Sequence, residues 1–157
     1  DSAECLNKHM QLFVDTVRAS GGENADRYLM VPGYCASPDG VLSDLFVMPT
    51  DTADNRIILS VHAYTPYNFA LQADAETNWS ADNSGSTSPI NQFMDRLYDK
   101  YTSKGIPVVI GEFGARNKNE NTQARTDFAA YYVGTARARG ITCVWWDNNA
   151  FFGRCTT

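Results

Sequence analysis

The sequence has little basic charge and no long apolar run. In its 157 residues, 13 Lys and Arg stand against 18 Asp and Glu, giving a formal net charge of −5. Proteins bind nucleic acid and anionic lipid largely through Lys and Arg that neutralise phosphates. No apolar stretch approaches the roughly 20 residues that span a bilayer. We therefore expect neither a nucleic acid nor a membrane as a partner.

The residue patterns of metal and nucleotide sites are also missing. Four cysteines contain no Cys-x-x-Cys pair, and the chain has only two histidines, so the spacing typical of zinc sites is absent. The sequence also lacks a P-loop, a Gly-x-Ser-x-Gly elbow and a His-Glu-x-x-His motif. We therefore expect no metal and no cofactor.

Four short apolar segments are present, and segments with helical spacing separate them. The apolar segments span 28–31, 57–61, 107–111 and 141–146, and helices are predicted over 4–20, 37–46, 88–101 and 122–139. Apolar runs without polar alternation are typical of parallel strands buried on both faces. Alternating strands and helices imply right-handed crossovers and one parallel sheet of the α/β class. The long polar segment 66–88 is predicted to be a functional surface loop, with Ser88 and Pro89 starting the next helix.

Polar side chains follow the second and the third of the predicted strands. Glu112 follows the third strand, whereas His62 and Tyr64 follow the second and point the same way because they are two residues apart. Ligands bind at the carboxyl edge of parallel sheets. A carboxylate at the mouth of a buried strand is costly unless it is used or paired. A salt bridge from Glu112 to Arg116, and a buried structural role for His62, are the alternatives.

Aromatic residues accompany these polar groups. Trp145 and Trp146 point to opposite sides of the fourth strand, so we expect one to pack and the other to face the strand-end cleft, although consecutive aromatic residues usually lie in the core. A flat indole beside a carboxylate suits a sugar, because the C–H faces of the ring pack on aromatic faces and its hydroxyls need polar partners. Tyr67, Asn68 and Trp79 in the long loop could extend this surface, or could equally hold the loop against the protein.

Several segments, in order and spacing, resemble the carboxyl-terminal half of glycoside hydrolase family 5 endoglucanases. They are Val-His-Ala-Tyr-Thr-Pro-Tyr-Asn-Phe-Ala at 61–70, Ile-Gly-Glu-Phe-Gly at 110–114 and Val-Trp-Trp-Asp-Asn at 144–148. Arg-Tyr-Leu-Met-Val-Pro-Gly-Tyr at 27–34 resembles the fifth strand, and the nearest branch contains endo-β-1,4-glucanases and xyloglucanases. The resemblance implies that residues 1–157 form a single half-barrel domain, matching strands five to eight of a (β/α)8 TIM barrel.

The resemblance also assigns roles to residues. It implies a retaining double displacement with Glu112 as the nucleophile, and His62 and Tyr64 as the catalytic pair that orients it and contacts the sugar. A nucleophilic carboxylate must be ionised, so we expect donors such as Tyr64 to favour its charged form. Trp146 resembles the stacking platform, and the other implied substrate-binding residues are Tyr67, Asn68, Trp79 and Asn148. The implied substrate is a β-glucan polysaccharide or cello-oligosaccharide, and secretion follows because a polymer cannot enter a cell.

One part of the family pattern is missing. The Asn-Glu-Pro motif that carries the acid/base after strand four does not occur, although a retaining glycosidase needs two carboxyl groups about 5–5.5 Å apart. Four strands also leave two unpaired edges and an open apolar face. We therefore expect the chain to close a full barrel as a homodimer, or with a complementing half-barrel. In a homodimer, Asp147 of the second copy is the nearest substitute acid, although strand alternation turns it away from the side that Trp146 faces.

Three functions remain open from the sequence. The first is an endo-acting β-1,4-glucan hydrolase. The second is a carbohydrate-binding or catalytically inactive half-barrel, which retains the aromatic surface without the proton donor. The third is an unrelated open α/β domain in which Glu112 is structural.

Overall fold

The computed structural model describes residues 2–147, in which four strands alternate with helices. The strands are β1 (Leu29–Pro32), β2 (Ile57–His62), β3 (Val108–Phe113) and β4 (Ile141–Trp145). The α-helices are α1 (Ser2–Ala19), α2 (Pro38–Leu42), α3 (Tyr67–Ala70), α4 (Ser84–Lys100) and α5 (Thr122–Arg137), and short 3-10 helices span Gly22–Ala25, Tyr34–Ala36 and Thr102–Lys104.

The four strands form one parallel sheet in the order β1-β2-β3-β4. Each strand therefore lies beside the strand that precedes it in the chain, with helical segments in the connections. All four predicted strands and their parallel arrangement are confirmed. Within the described range, β1 and β4 each pair with a single neighbour.

The core lies on one side of this sheet. In β2 the side chains of Ile57, Leu59 and Val61 are buried, whereas the intervening residues are only half-buried. The buried positions belong to one cluster with apolar residues of α1, α4 and α5. On the other face, Met30 is 48% exposed and Val144 is 50% exposed. The sheet of the single chain therefore has the open apolar face expected of four strands, and the burial of both faces that the apolar runs suggested is not found.

The largest boundary error is at α4. Ser88 and Pro89 were predicted to start this helix, but it begins at Ser84, where the Asn83 side chain accepts a hydrogen bond of 2.9 Å from the Gly85 N–H. The Asn83 side chain thus satisfies a backbone donor of the first turn, and Pro89 lies one turn further on. The predicted loop 66–88 also contains α3, so its irregular part is shorter than expected.

Two other helices are shorter than predicted. The helix expected over 37–46 is reduced to α2, which ends at Leu42, and its start at Ser37 is confirmed by a side-chain cap to the Gly40 N–H at 3.0 Å. The helix expected to reach residue 139 ends at Arg137. Among the helices of the described segment, none combines the length and the apolar character that a bilayer crossing requires.

Candidate active site

Strand β3 contains a bulge immediately before Glu112. Val61 of β2 pairs with Ile110, but the next residue, His62, pairs with Glu112. Between its pairings with β4, β3 also advances one residue more than its partner. A bulge inserts one residue and shifts the side-chain alternation that follows it. Glu112 is thus inside the strand rather than just beyond it.

The bulge decides which way Glu112 points. Val108 and Ile110 are buried on the helix side, so strict alternation would turn residue 112 into the same core. After the bulge, Phe113 takes the core position at 2% exposure, while the Glu112 side chain is 24% exposed. The carboxylate therefore lies on the open face of the sheet, where a solvent-borne ligand can reach it.

The core packing of Phe113 fixes the direction in which Glu112 points. Its ring stacks on Tyr132 with centroids 4.4 Å apart and planes 9° apart, and it meets Trp145 edge-on at 5.2 Å. The half-buried Trp145 is thus the one of the two tryptophans that packs against the core. Rotating Phe113 away from the core would break these contacts, so the direction of the neighbouring Glu112 carboxylate is fixed by the packing of a buried residue.

Glu112 contacts both side chains that the sequence placed beside it. The Tyr64 hydroxyl donates a hydrogen bond of 2.9 Å to Oε2, and His62 Nδ1 lies 3.4 Å from Oε1. Burial, followed by the hydrogen bond and charge of Glu112, raises the pKa of Tyr64 well above its ordinary value. The tyrosine therefore remains a proton donor at neutral pH. The Arg116 guanidinium donates at 3.4 Å to the Leu71 carbonyl.

The backbone around these residues is also tied down. The Ala63 N–H donates to the Glu112 carbonyl at 2.9 Å, and the buried Tyr132 hydroxyl donates to the Ala63 carbonyl at 2.8 Å. A Cβ at Gly111 would lie 3.2 Å from Ser60 Oγ, which is tighter than an ordinary contact, and 3.5 Å from His62 Nε2, which is ordinary contact. No role for Gly111 or Tyr132 in the site was predicted from the sequence, since their contacts form only when β2, β3 and α5 are assembled.

The remaining predicted residues separate into two groups. Trp146 follows β4, is 40% exposed, and donates its backbone N–H to the Phe113 carbonyl at 2.8 Å. Tyr67, Asn68 and Asp147 are also exposed. Trp79 is 6% exposed and packs against Phe128 and Tyr131, with ring centroids 5.8 and 5.3 Å away. The structure therefore places Trp79 in the core and not with the exposed aromatics. Asn148 lies outside the described residues. Within 2–147, no three potential metal ligands among His, Cys, Asp and Glu come together.

Sequential parallel βα units with polar side chains at the carboxyl edge of the sheet place the chain among the (β/α)-barrel proteins. The chain belongs to the cellulase family, glycosyl hydrolase family 5, whose family model matches residues 1–152. This confirms the family inferred from the motifs and contradicts the alternative of an unrelated α/β domain.

Individual relatives agree with this assignment. The chain is 40% identical over 149 residues to Endoglucanase A of Clostridium longisporum, covering 95% of this chain and 28% of the relative. It is 44% identical over 149 residues to Endoglucanase B of Neocallimastix patriciarum, covering 94% of this chain and 30% of the relative. A mutant glycoside hydrolase 5 lichenase from Caldicellulosiruptor sp. F32, solved with cellotetraose, has 62% identity and a TM-score of 0.94.

The share of the lichenase chain that the match covers shows how much of a barrel this chain forms. The match includes 98% of this chain but only 42% of the lichenase chain. The chain thus spans less than half the length of these relatives, and its four parallel strands form half of a TIM barrel, as predicted.

Proposed function

We propose that the chain supplies the nucleophile half of an endo-acting, retaining β-1,4-glucan hydrolase, with Glu112 as nucleophile. The observation that carries this proposal is the position of Glu112 on the open face of the sheet. There its carboxylate accepts a hydrogen bond of 2.9 Å from the Tyr64 hydroxyl and lies 3.4 Å from His62 Nδ1. A carboxylate turned toward solvent by a bulge and held by a tyrosine donor suits attack on a ligand better than a structural ion pair.

The chemistry follows from this geometry. The Glu112 carboxylate attacks the anomeric carbon, a C–O ester bond forms, and the bond to the leaving oxygen breaks. The Tyr64 hydroxyl, which stays protonated, holds one carboxylate oxygen so that the other is oriented toward the sugar. Water then hydrolyses the ester and releases Glu112 in its ionised form. Protonation of the leaving oxygen requires an acid that Glu112 cannot supply while it acts as nucleophile.

The proposed sugar surface consists of the exposed aromatic and amide groups near the site. Trp146 is its stacking platform, and Tyr67 and Asn68 extend it, with Asn148 as a further candidate. Trp79 is left out because its ring faces are packed in the core.

The proposed reaction also needs a second carboxyl group, which acts as the acid. The exposed apolar side chains of Met30 and Val144 lie on the sheet face that a closed barrel would bury. We propose that either a complementing half-barrel or a second copy of the chain covers this face and contributes the acid. Asp147 of a second copy is the weaker candidate for that acid. Native mass spectrometry distinguishes a monomer, a dimer and a complex with a complementing half. Secretion is part of this proposal, because the substrate is a polymer.

The test is the release of reducing ends from carboxymethylcellulose, xyloglucan and lichenan. Lichenan is included because a lichenase is among the similar structures. Glu112→Gln should abolish release, and Glu23→Gln serves as a matched control, because it makes the same change at an exposed carboxylate in the 3-10 helix before β1. A fluorinated glycosyl donor should label Glu112 in active protein, and labelling of another residue would contradict the assignment.

The absence of an Asn-Glu-Pro motif from these 157 residues leads to a separate prediction about substrates. General acid catalysis typically contributes about 10²–10⁴-fold, mostly for poor leaving groups. If the chain alone lacks the acid, it should hydrolyse an aryl cellobioside while leaving cellulose nearly untouched. Equal loss of activity on both substrates would contradict this explanation.

A carbohydrate-binding half-barrel is the second candidate function. The 40% exposure of Trp146 favours it, because a free indole face binds sugar whether or not an acid is present. Binding of cellotetraose that depends on Trp146, together with no turnover of any substrate by any assembly, would support binding over catalysis.

A further inference from the structure

A buried lysine in the loop after β3 is hydrogen-bonded to the loop after β2. Lys118 is 7% exposed, and its Nζ donates to the carbonyls of Asn68 at 2.9 Å and Gln72 at 3.1 Å. The same nitrogen lies 5.6 Å from the centre of the Phe69 ring. A buried ammonium is tolerated only when its donors are satisfied, so these carbonyls and the lysine hold one another in a defined position.

The residues around Lys118 join the same two loops. The Arg116 N–H donates to the Ala70 carbonyl at 2.9 Å. The Lys118 N–H donates to Asn121 Oδ1 at 3.0 Å, and Asn121 Nδ2 donates to the Thr77 carbonyl at 2.9 Å. Burial and the nearby Arg116 lower the pKa of Lys118, while Glu76 opposes them. The loop that leaves the strand of Glu112 is therefore tied at several points to the loop that leaves the strand of His62.

The segment that Lys118 holds, residues 67–72, carries two residues of the proposed sugar surface. Helix α3 begins at Tyr67, three residues after Tyr64, and Asn68 is its second residue. Tyr67 is 59% exposed, so packing of its own ring does little to fix its direction. Holding the Asn68 carbonyl from behind fixes the backbone from which both side chains project.

We propose that Lys118 is a positioning residue for substrate: it holds α3 so that Tyr67 and Asn68 meet the sugar bound beside Glu112. This inference rests on the proposed function, because it assigns these two residues to the glucan site. Lys118 acts on affinity through α3 and takes no part in bond making or breaking.

The first measurement is amide hydrogen exchange of residues 66–73 in Lys118→Met, which keeps most of the side-chain volume and removes the charge. Losing hydrogen bonds from a charged donor should speed exchange there by about tenfold or more. Lys104→Met is the matched control, since this exposed lysine lies in the turn before β3, at the opposite end of the strand from residue 112. Lys118→Gln, which keeps one amide donor, is the second variant if Lys118→Met fails to fold.

The second measurement is the dissociation constant for cellotetraose, with the urea midpoint of each variant measured alongside it. Lys118→Met should weaken binding by about tenfold, whereas Lys104→Met should leave it unchanged. In an assembly that turns over aryl cellobioside, KM should rise while kcat stays within about twofold. This split separates a positioning role from general loss of structure, which would lower the amount of active protein and thus kcat.

The outcomes separate the two proposals. Faster exchange at 66–73 together with weaker binding supports the positioning role. Unchanged exchange overturns it, and so does faster exchange with unchanged affinity or a loss confined to kcat. If the unaltered protein, in every assembly, neither binds cellotetraose nor hydrolyses glucan, the proposed function fails and the positioning role falls with it, while the exchange result still shows whether Lys118 holds α3.

Discussion

Removing one buried oxygen behind the site should destabilise the protein measurably. Tyr132 is fully buried and Ala63 is 3% exposed, and the hydroxyl of the first donates to the carbonyl of the second at 2.8 Å. Burial raises the pKa of Tyr132 well above its ordinary value, so the hydroxyl is a donor throughout the working range. Tyr132→Phe removes that donor and leaves a buried carbonyl without this partner.

The size of the effect follows from that carbonyl. Leaving a buried acceptor unsatisfied costs about 1–3 kcal/mol. For a chain of this size, such a loss lowers the melting temperature by about 2–12 °C. Ala63 lies between His62 and Tyr64, so we also expect the proposed glucan hydrolysis to fall.

The assay is urea unfolding monitored by circular dichroism. Tyr131→Phe is the matched control, because it deletes the hydroxyl of the neighbouring residue on the same helix. That hydroxyl is only half-buried and exchanges hydrogen bonds of 3.0 and 3.1 Å with the Asn91 side chain. We expect the control to lose less than about 1 kcal/mol. Equal losses in the two variants would refute the reasoning that burial of the Ala63 carbonyl sets the cost.

Two further predictions concern the core and acid stability. Phe113→Ala should lower the free energy of unfolding by about 3–5 kcal/mol in urea titration, because it empties a fully packed aromatic position; a loss below about 1 kcal/mol would contradict the packing argument. The Arg18 guanidinium, bonded to Asp51 through two contacts of 2.7 Å, lowers the pKa of that carboxyl. The stability it contributes is therefore present above the unfolded pKa of about 4 and is lost as pH falls toward the folded value. Asp51→Asn should weaken this part of the acid-unfolding profile, and an unchanged profile would count against the ion pair.

The order of elements could be predicted because it depends on local pattern. Apolar runs without alternation marked all four strands, and Asn83 shows where local reasoning failed. Its capping bond to the Gly85 N–H starts α4 one turn earlier than Pro89 suggested. Both residues are compatible with a helix start, and only the assembled backbone shows which one is used.

The sequence by itself determined the parallel α/β fold, the family and the placement of Glu112, His62 and Tyr64 at one sheet edge, because strand order and motif spacing are properties of the chain. Tertiary structure decided which way these side chains point and what holds them. The bulge turns Glu112 out of the core, and α5 supplies the hydroxyl behind Ala63. Burial of Trp79, and of Lys118 against the Asn68 carbonyl, depends on contacts between residues more than 40 positions apart, which no local pattern encodes.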